Sequence, residues 1–541
     1  MPKILINEVD KTSAGTPGRY GNYSVLIAGL AGTPVDDERK WQKPDENGVY
    51  EFSSAQAFKD TIGLTEEGSD HAGNRMAYEL LGLGYQVIYV VVNDISEMAR
   101  EDFWDIFRDK ASYDFRFVSH GAMKSSYGTE ADQVRYDVLH TQLTSVNESL
   151  AQLAKIEKAA LGREVTSEEV SSLSIDAELE AKLQAEFDKV TDYKFADYVA
   201  ANGDTQNEIY YSSYITAKLG LIEDLEKIEG YIKELDNKSF TTGVLNKING
   251  NIARLASYRA NDEGIDMPPY CNGRGDCIAL IELDENSYVK SGAKDRPEAL
   301  IIKGIKGMSS SIGGEGEYCA LTVPSVYYYI DDKTTLKMPA AFHYLACFMN
   351  SLNSGFAEWY AAAGYNRGVS SYVIDHTSVK LGEIAINALE PRNIESQETQ
   401  PPFACNVIAN FRGSYYLWGN RTAAKLGEAA DGDDLKAKHF LNIRQLCATI
   451  KKQLYVACRR FTFDPNSDTL WFNFVNAITP TLDAMKADQG VRDYKIVKVY
   501  TDKKATLKAR IRIIPIEAVE DFNITVSLED SFGGVSVTAE G

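Results

Sequence analysis

The sequence predicts a multidomain protein of mixed α/β and α+β class, with a helical module inserted into a sheet-forming body. Three observations carry this. The chain of 541 residues is too long for one ordinary core and suggests about three domains. Apolar strand-like runs alternate with short helical patterns near both 23–92 and 277–350, the order of an α/β layer. None of the fifteen prolines lies between Pro44 and Pro268, and that gap holds three apolar stripes at heptad-like spacing.

Taken in order, Met1 to Val9 reads as a short strand without the charged-then-apolar pattern of a secretion signal. Tyr23 to Leu30 is a continuous apolar run, expected to be a strand buried on both faces. Helices are expected from Ser53 and over 74–83, then a strand over Gln86 to Val92. Within the proline gap, the first stripe is Leu139, Leu143, Val146, Leu150 and Leu153. The second runs from Ile175 to Val190 and the third from Ile215 to Leu235. Thr166 and Glu169 can form a capping box before the second. Two or three antiparallel helices of this kind bury their stripes against one another, which predicts a helical module over 130–258.

Sheet character returns with Cys277 to Leu283, a helix near 296–305, a glycine- and serine-rich loop over 309–316, and a strand from Ala320. Pro339 sits at the first turn of another helix. Strands over 403–410 and 415–418 precede a long amphipathic helix (438–460), a second helix (468–487), and strands over 494–500, 505–514 and 522–528. The tail 529–541 is polar and expected to be loose.

Composition sets limits on function. Hydrophobic residues at 44% and charged residues at 25% are the balance of a folded chain, and no apolar run reaches membrane-spanning length. Seven scattered cysteines without a Cys-x-x-Cys fit a reducing compartment, and Cys447 and Cys458, three helical turns apart, are expected to pack in a core. The net charge of −21 argues against nucleic-acid binding by the whole surface. The stretch 435–512 nevertheless holds sixteen Lys/Arg against six Asp, so the remainder carries −31; the segment 130–258 alone carries −10. Different faces are thus presented to different partners.

Chemistry-bearing motifs do not assemble. Gly82-Leu83-Gly84 precedes a strand instead of following one, so it reads as a helix end, not a dinucleotide fingerprint. The 309–316 loop lacks Gly-Lys-Ser/Thr, and the six histidines are isolated. Arg274-Gly275-Asp276 matches an adhesion tripeptide but leads straight into a strand. The reading is not an enzyme, with no cofactor and no metal.

The C-terminal quarter carries a resemblance. Phe440-Leu441-Asn442-Ile443-Arg444-Gln445-Leu446, opening the long helix, looks like the Asn-Ile/Val-Arg-Arg helix of contractile tail sheath proteins. The turn Phe461-Thr462-Phe463-Asp464-Pro465-Asn466, with Leu470-Trp471 after it, is similar to that family's Phe-x-Pro-Asn segment. Upstream, Leu417-Trp418-Gly419-Asn420-Arg421-Thr422 is similar to its Trp-Gly-x-Arg-Thr segment, and Phe522 to Ser527 stands where the family ends in a strand. More loosely, 52–64, 78–92 and 275–280 resemble its outer domain. The chain departs from the family in its helical insertion and in reading Asn387-Ala388-Leu389-Glu390-Pro391-Arg392-Asn393-Ile394 where a Leu-Asn-x-x-Gly-Ile-Asn segment is expected.

The resemblance implies an N-terminal β-arm (1–20), an outer α/β domain (21–129 and 259–390) and a mixed-sheet sheath core domain (391–528), to which the stripes add the helical insertion (130–258) and the polar composition a flexible tail (529–541). It implies a structural subunit of a phage tail sheath that stacks as hexameric rings in a helix around a tail tube protein, meets baseplate and tail terminator proteins, and contracts. Such a subunit is assembled in the host cytoplasm and resides in the virion, touching neither nucleic acid nor membrane directly. A strand at each chain end suits addition to a neighbour's sheet, through Ile4, Leu5, Ile6 and Val9 in one arm and Phe522, Ile524 and Val526 in the other. Lys451, Lys452, Arg459 and Arg460, on the C-terminal half of the long helix, are expected to face the tube. The alternatives are the sheath of a bacterial contractile injection system (tailocin or type VI-like) and, from another class, a nucleic-acid-binding protein using 435–512.

Overall fold

A computed structural model describes residues 23–32, 43–65, 71–124, 130–166, 177–189, 198–199, 205–206, 213–238, 241–258, 273–289, 295–330, 334–390, 400–425, 436–500, 507–516 and 518. The arm residues Ile4, Leu5, Ile6, Val9, Phe522, Ile524 and Val526 lie outside the described residues. The strands are β1 (Ser24–Leu30), β2 (Val49–Phe52), β3 (Gln86–Val92), β4 (Phe117–Ser119), β5 (Tyr198–Val199), β6 (Thr205–Gln206), β7 (Ile278–Ile281) and β8 (Cys319–Val323). After them come β9 (Val326–Tyr329), β10 (Thr335–Met338), β11 (Ile374–Thr377), β12 (Asn406–Phe411), β13 (Ser414–Trp418), β14 (Val491–Val499) and β15 (Lys508–Pro515). The principal helices are α1 (Ala55–Ile62), α2 (Gly73–Gly82), α3 (Glu130–Leu161), α4 (Ala177–Phe187), α5 (Tyr214–Lys238), α6 (Thr241–Ala256), α7 (Pro297–Ile312), α8 (Ala340–Asn353), α9 (Leu441–Arg460) and α10 (Asp468–Ala487).

An eight-stranded sheet in the order β13-β12-β8-β7-β4-β1-β3-β2 organises the body. Its six central strands are parallel, with β2 and β13 antiparallel at the edges. Strand periodicity of two sends Leu26, Ile88, Val90, Ala279 and Leu321 to one face and Val25, Ile27, Tyr89, Leu280 and Ile408 to the other. The first face packs on α6 and α7, the second on α1, α2 and α8. Helices on both sides bury a parallel sheet completely, which is why β1 reads as an unbroken apolar run.

The structure moves two boundaries. Strands β12 and β13 pair into this sheet through β8, so the body does not divide at residue 390. Expected in the helical module, α6 instead lies on the sheet through Val244, Ile248, Ile252 and Leu255. Its apolar stripe is helical whichever surface it meets, so sequence could not choose between them. The module proper is α3, α4 and α5, whose core includes Leu139, Val146, Leu153, Leu183, Phe187, Leu221 and Ile228. At its centre the buried Glu157 carboxylate accepts from Lys218 Nζ, Tyr214 Oη and the Val165 amide, each at 2.7 Å. Helix α7 runs to Ile312, taking in the first half of the expected 309–316 loop. Gly84 closes the turn after α2 with φ 97°, the helix end expected there.

Candidate assembly surface

Two of the motif segments meet in space. Asn420 Nδ2 donates to Asn442 Oδ1 (2.7 Å) and the Asn442 amide donates to Asn420 Oδ1 (3.0 Å). Arg421 stacks over Phe440 at 4.7 Å and bridges it through backbone. Gly419 has φ 137°, and a Cβ there would lie 2.8 Å from Asn406 Oδ1, so the crossing needs glycine. This knot fixes the start of α9. The third segment is the turn from α9 to α10, where Ser467 caps α10 by accepting from the Leu470 amide.

The N-terminal half of α9 is buried in the body and its C-terminal half emerges to carry α10 and the β14–β15 hairpin. The hairpin is a two-stranded antiparallel sheet with no further described strand on either edge. Its inward residues Tyr494, Ile496, Ile511 and Ile513 rest on a small core of Leu446, Ile450, Leu482, Met485 and Val491, closed by Trp359. Trp359 Nε1 donates to the Asp488 carbonyl at 3.0 Å.

Two strands do not cover two helices. Between α9, α10 and β15 lies an apolar groove of about 600 Å³, lined by Cys447, Leu454, Cys458, Phe461, Phe474 and Ile511 among others. Cys447 and Cys458 therefore share a face, as their spacing requires, but that face borders the groove instead of a filled core; Cys458 is exposed. The apolar lining raises both thiol pKa values by desolvation, of Cys458 through the half of it that faces the groove.

The four cations expected to face a tube separate into two pairs. Lys451 Nζ donates to the Gly275 carbonyl (2.7 Å) and to Tyr318 Oη (3.3 Å), stacked between Tyr258 and Tyr318, and its burial depresses its pKa. Lys452 is paired with Asp114. Both fasten α9 to the body, a correction that follows from their lying within reach of the sheet ends. Arg459 and Arg460 are exposed at the far end of the helix. Beside them Phe463 is 79% exposed with φ 77°. Arg274 is buried and paired with Asp276, so the adhesion tripeptide is internal scaffolding.

A buried polar centre, not anticipated from sequence, ties these parts together. Glu358 accepts from Arg116 Nη2 (3.2 Å) and Thr449 Oγ1 (2.8 Å) through one oxygen and from Tyr23 Oη (2.7 Å) through the other. Arg116 Nη1 also reaches Gln445 at 3.2 Å. Burial and the neighbouring carboxylate raise the Tyr23 pKa. No local motif marks such a site, because its members come from four distant segments.

Comparison with known proteins gives a consistent picture of likeness at low identity. No family model and no curated protein matches the chain. Among solved structures, it is similar to a chain of the anti-feeding prophage baseplate in its six-fold symmetrised form, with TM-score 0.47 and 11% identity, covering 98% of this chain and 99% of that one. It is similar to a chain of the PVC sheath complex of an extracellular contractile injection system in the contracted state, with TM-score 0.46 and 10% identity over 98% of each chain. A chain of the anti-feeding prophage baseplate in the contracted state gives TM-score 0.46 and 13% identity over 98% of this chain and 99% of that one.

Proposed function

We propose that the chain is the sheath subunit of a contractile tail, in a phage or in a bacterial injection machine of the same plan. In this reading subunits polymerise helically around a tube, from a baseplate to a terminator, and contract to drive the tube through a cell envelope. The observation that carries it is the β14–β15 hairpin, which has no further described strand on either edge and lies above an apolar groove. Open edges are an aggregation hazard in a monomer and the bond itself in a polymer. The arms 4–9 and 522–528 are the segments with strand patterning that would add there from neighbouring copies. Head-to-tail addition gives a ring where the rotation closes and a helix where it does not. Of the four cations expected to face the tube, Arg459 and Arg460 are the two that stay exposed.

Against the nucleic-acid reading, the basic stretch uses Arg444, Lys451, Lys452, Lys486 and Lys498 on partners within the chain. The test is assembly of the full chain, seen by negative stain and sedimentation, against chains lacking residues 1–12 or 519–541. The full chain forms rings or hollow cylinders, and each truncated chain stays folded but unpolymerised. Truncated chains that assemble like the full one overturn the proposal.

A further inference from the structure

The hairpin has a second face, opposite the groove, and its composition is unusual. Antiparallel pairing sets Lys495 opposite Arg512 and places Arg510 and Lys508 opposite Val497 and Val499. All four cations are exposed. Like charges directly opposite one another on a strand pair are destabilising. The neighbouring cations Lys486 and Lys498 each have a carboxylate, whereas none of these four has one among the described residues.

The chain also holds an acidic counterpart. From residue 513 to 541 there is no Lys or Arg, and the acids are Glu517, Glu520, Asp521, Glu529, Asp530 and Glu540. Period two decides where they would fall. If Phe522, Ile524, Val526 and Leu528 point into the groove, then Asp521, Asn523, Thr525, Ser527 and Glu529 point to the opposite face. That is the face of Lys508, Arg510 and Arg512.

We infer that the outer face of the hairpin is an electrostatic clamp for the acidic C-terminal segment of a second copy, with Asp521 and Glu529 set against Lys508, Arg510, Arg512 and Lys495. This rests on the strand-exchange reading and adds to it a determinant of which arm sits beside β15. The N-terminal arm is a poorer fit. The segment 1–9 holds one acid, Glu8, against one cation, Lys3, so it brings no net charge to neutralise the face. A one-residue slip would turn the acids into the groove and the apolar set to water, so charge and burial select the same register.

The test uses full-length protein, with polymer measured by sedimentation over a range of salt. Reversal at Lys508→Glu with Arg512→Glu, or at Asp521→Lys with Glu529→Lys, raises the concentration needed for polymer about tenfold or more, since several exposed pairs turn from attraction to repulsion. Combining the two sets restores assembly, and wild-type polymer weakens with salt. Independent losses without rescue overturn the clamp. So does a change confined to the thermal midpoint of dilute monomer, which would mean the segment folds back in its own chain. Loss of tube binding with polymer intact overturns it in favour of the tube. Wild-type chain that never polymerises refutes the sheath reading itself, before any variant is made, and the clamp with it.

Discussion

Replacing Glu358 by Gln perturbs the one carboxylate on which four segments converge. Both members of the Glu358–Arg116 pair have side chains only 1% exposed. Removing one partner of such a pair leaves the other charge buried and uncompensated, at a cost of about 3–5 kcal/mol. Gln keeps the shape and can still accept from Tyr23, so the lower end, about 3 kcal/mol, is expected, a large fraction of the usual 5–15 kcal/mol. A chain of this size need not unfold in one step, so a local probe is required. Trp359 is adjacent and packs against Gly490, and in a chain whose other four tryptophans are replaced by Phe its fluorescence during guanidinium unfolding reports the joint. Glu358→Gln moves that transition to lower denaturant, while helical signal from the α3–α5 module is lost at its original midpoint. Adding Arg116→Met to Glu358→Gln removes the orphaned charge and recovers much of the loss, a non-additivity that only interacting residues show. A loss under about 1 kcal/mol, or strict additivity, would refute the reasoning.

Three further outcomes follow from other parts of the molecule. Burial pushes the Glu282 carboxyl up to about 8 and holds His71 and His120 down at about 4. The stability from the neutral histidines is present above pH 6.5 and lost as pH falls toward 4, whereas that from the protonated Glu282 is present below 4.5 and lost as pH rises through 8. Subunit stability, followed by thermal midpoint against pH, therefore peaks near neutrality, and Glu282→Gln removes the decline on the alkaline side. Deleting 125–239 with a short linker leaves the body folded by circular dichroism, because α3–α5 bury their own core. Extending the cut to 258 removes Ile248 and Ile252 from the sheet, at roughly 1.5–3 kcal/mol each, and the body fails to fold. Phe463→Gly relieves a left-handed residue worth about 1–2 kcal/mol, offset by about 0.4–1 for a looser unfolded chain, so the thermal midpoint of the subunit rises slightly or holds. A clear fall would mean that the ring is packed where it reads as exposed.

Legibility in the sequence followed the range of the interaction involved. Strands β1 and β3, helices α9 and α10 and the first module stripe are each written in contiguous sequence and stand where it puts them. The third stripe is helical, but its Leu219 is exposed and Leu221, outside it, is buried, and Ile175 and Val190 of the second lie outside the described residues. Pairing is not local. The joining of β12 to β8 depends on Asn406 reaching the Leu321 and Arg421 carbonyls, both at 3.0 Å, and no window around Asn406 contains either group. The same limit explains Lys451 and Lys452. Their place near a helix C-terminus reads as a cationic end facing a tube, and only the packed structure brings Gly275, Tyr318 and Asp114 beneath them. The groove was illegible for a further reason. An apolar stripe such as Cys447, Leu454 and Cys458 looks the same whether its partner lies in the same chain or another.

The body has the architecture of doubly wound enzymes, which bind ligands where the strand order reverses, outside the carboxyl ends of the strands. Here that point lies between β1 and β4, and among the described residues it is filled by main chain. A Cβ on Gly121 (φ 68°) would lie 2.4 Å from Gly73 Cα, so the turn after β4 sits directly on the first residue of α2. The Ala72 amide donates to the Gly121 carbonyl at 2.9 Å. Asn74 donates to the carbonyls of Leu30 (3.2 Å) and Gly63 (3.1 Å) and accepts from the Thr65 amide (3.1 Å), joining the end of β1 to the start of α2. A phosphate needs those helix-terminal amides facing an open cradle, and here a Cβ on Gly73 would already stand 3.0 Å from the carbonyls of Ala28 and His120. The described carboxyl end of the sheet thus stiffens the body where an enzyme would hold its substrate. What the body stiffens is the emergence of α9, pinned by Asn442, Thr449, Lys451 and Lys452 along successive turns. Among the described residues, then, the parallel sheet is sealed at its usual binding edge, and the helix it pins leads to a hairpin with no further described strand on either edge.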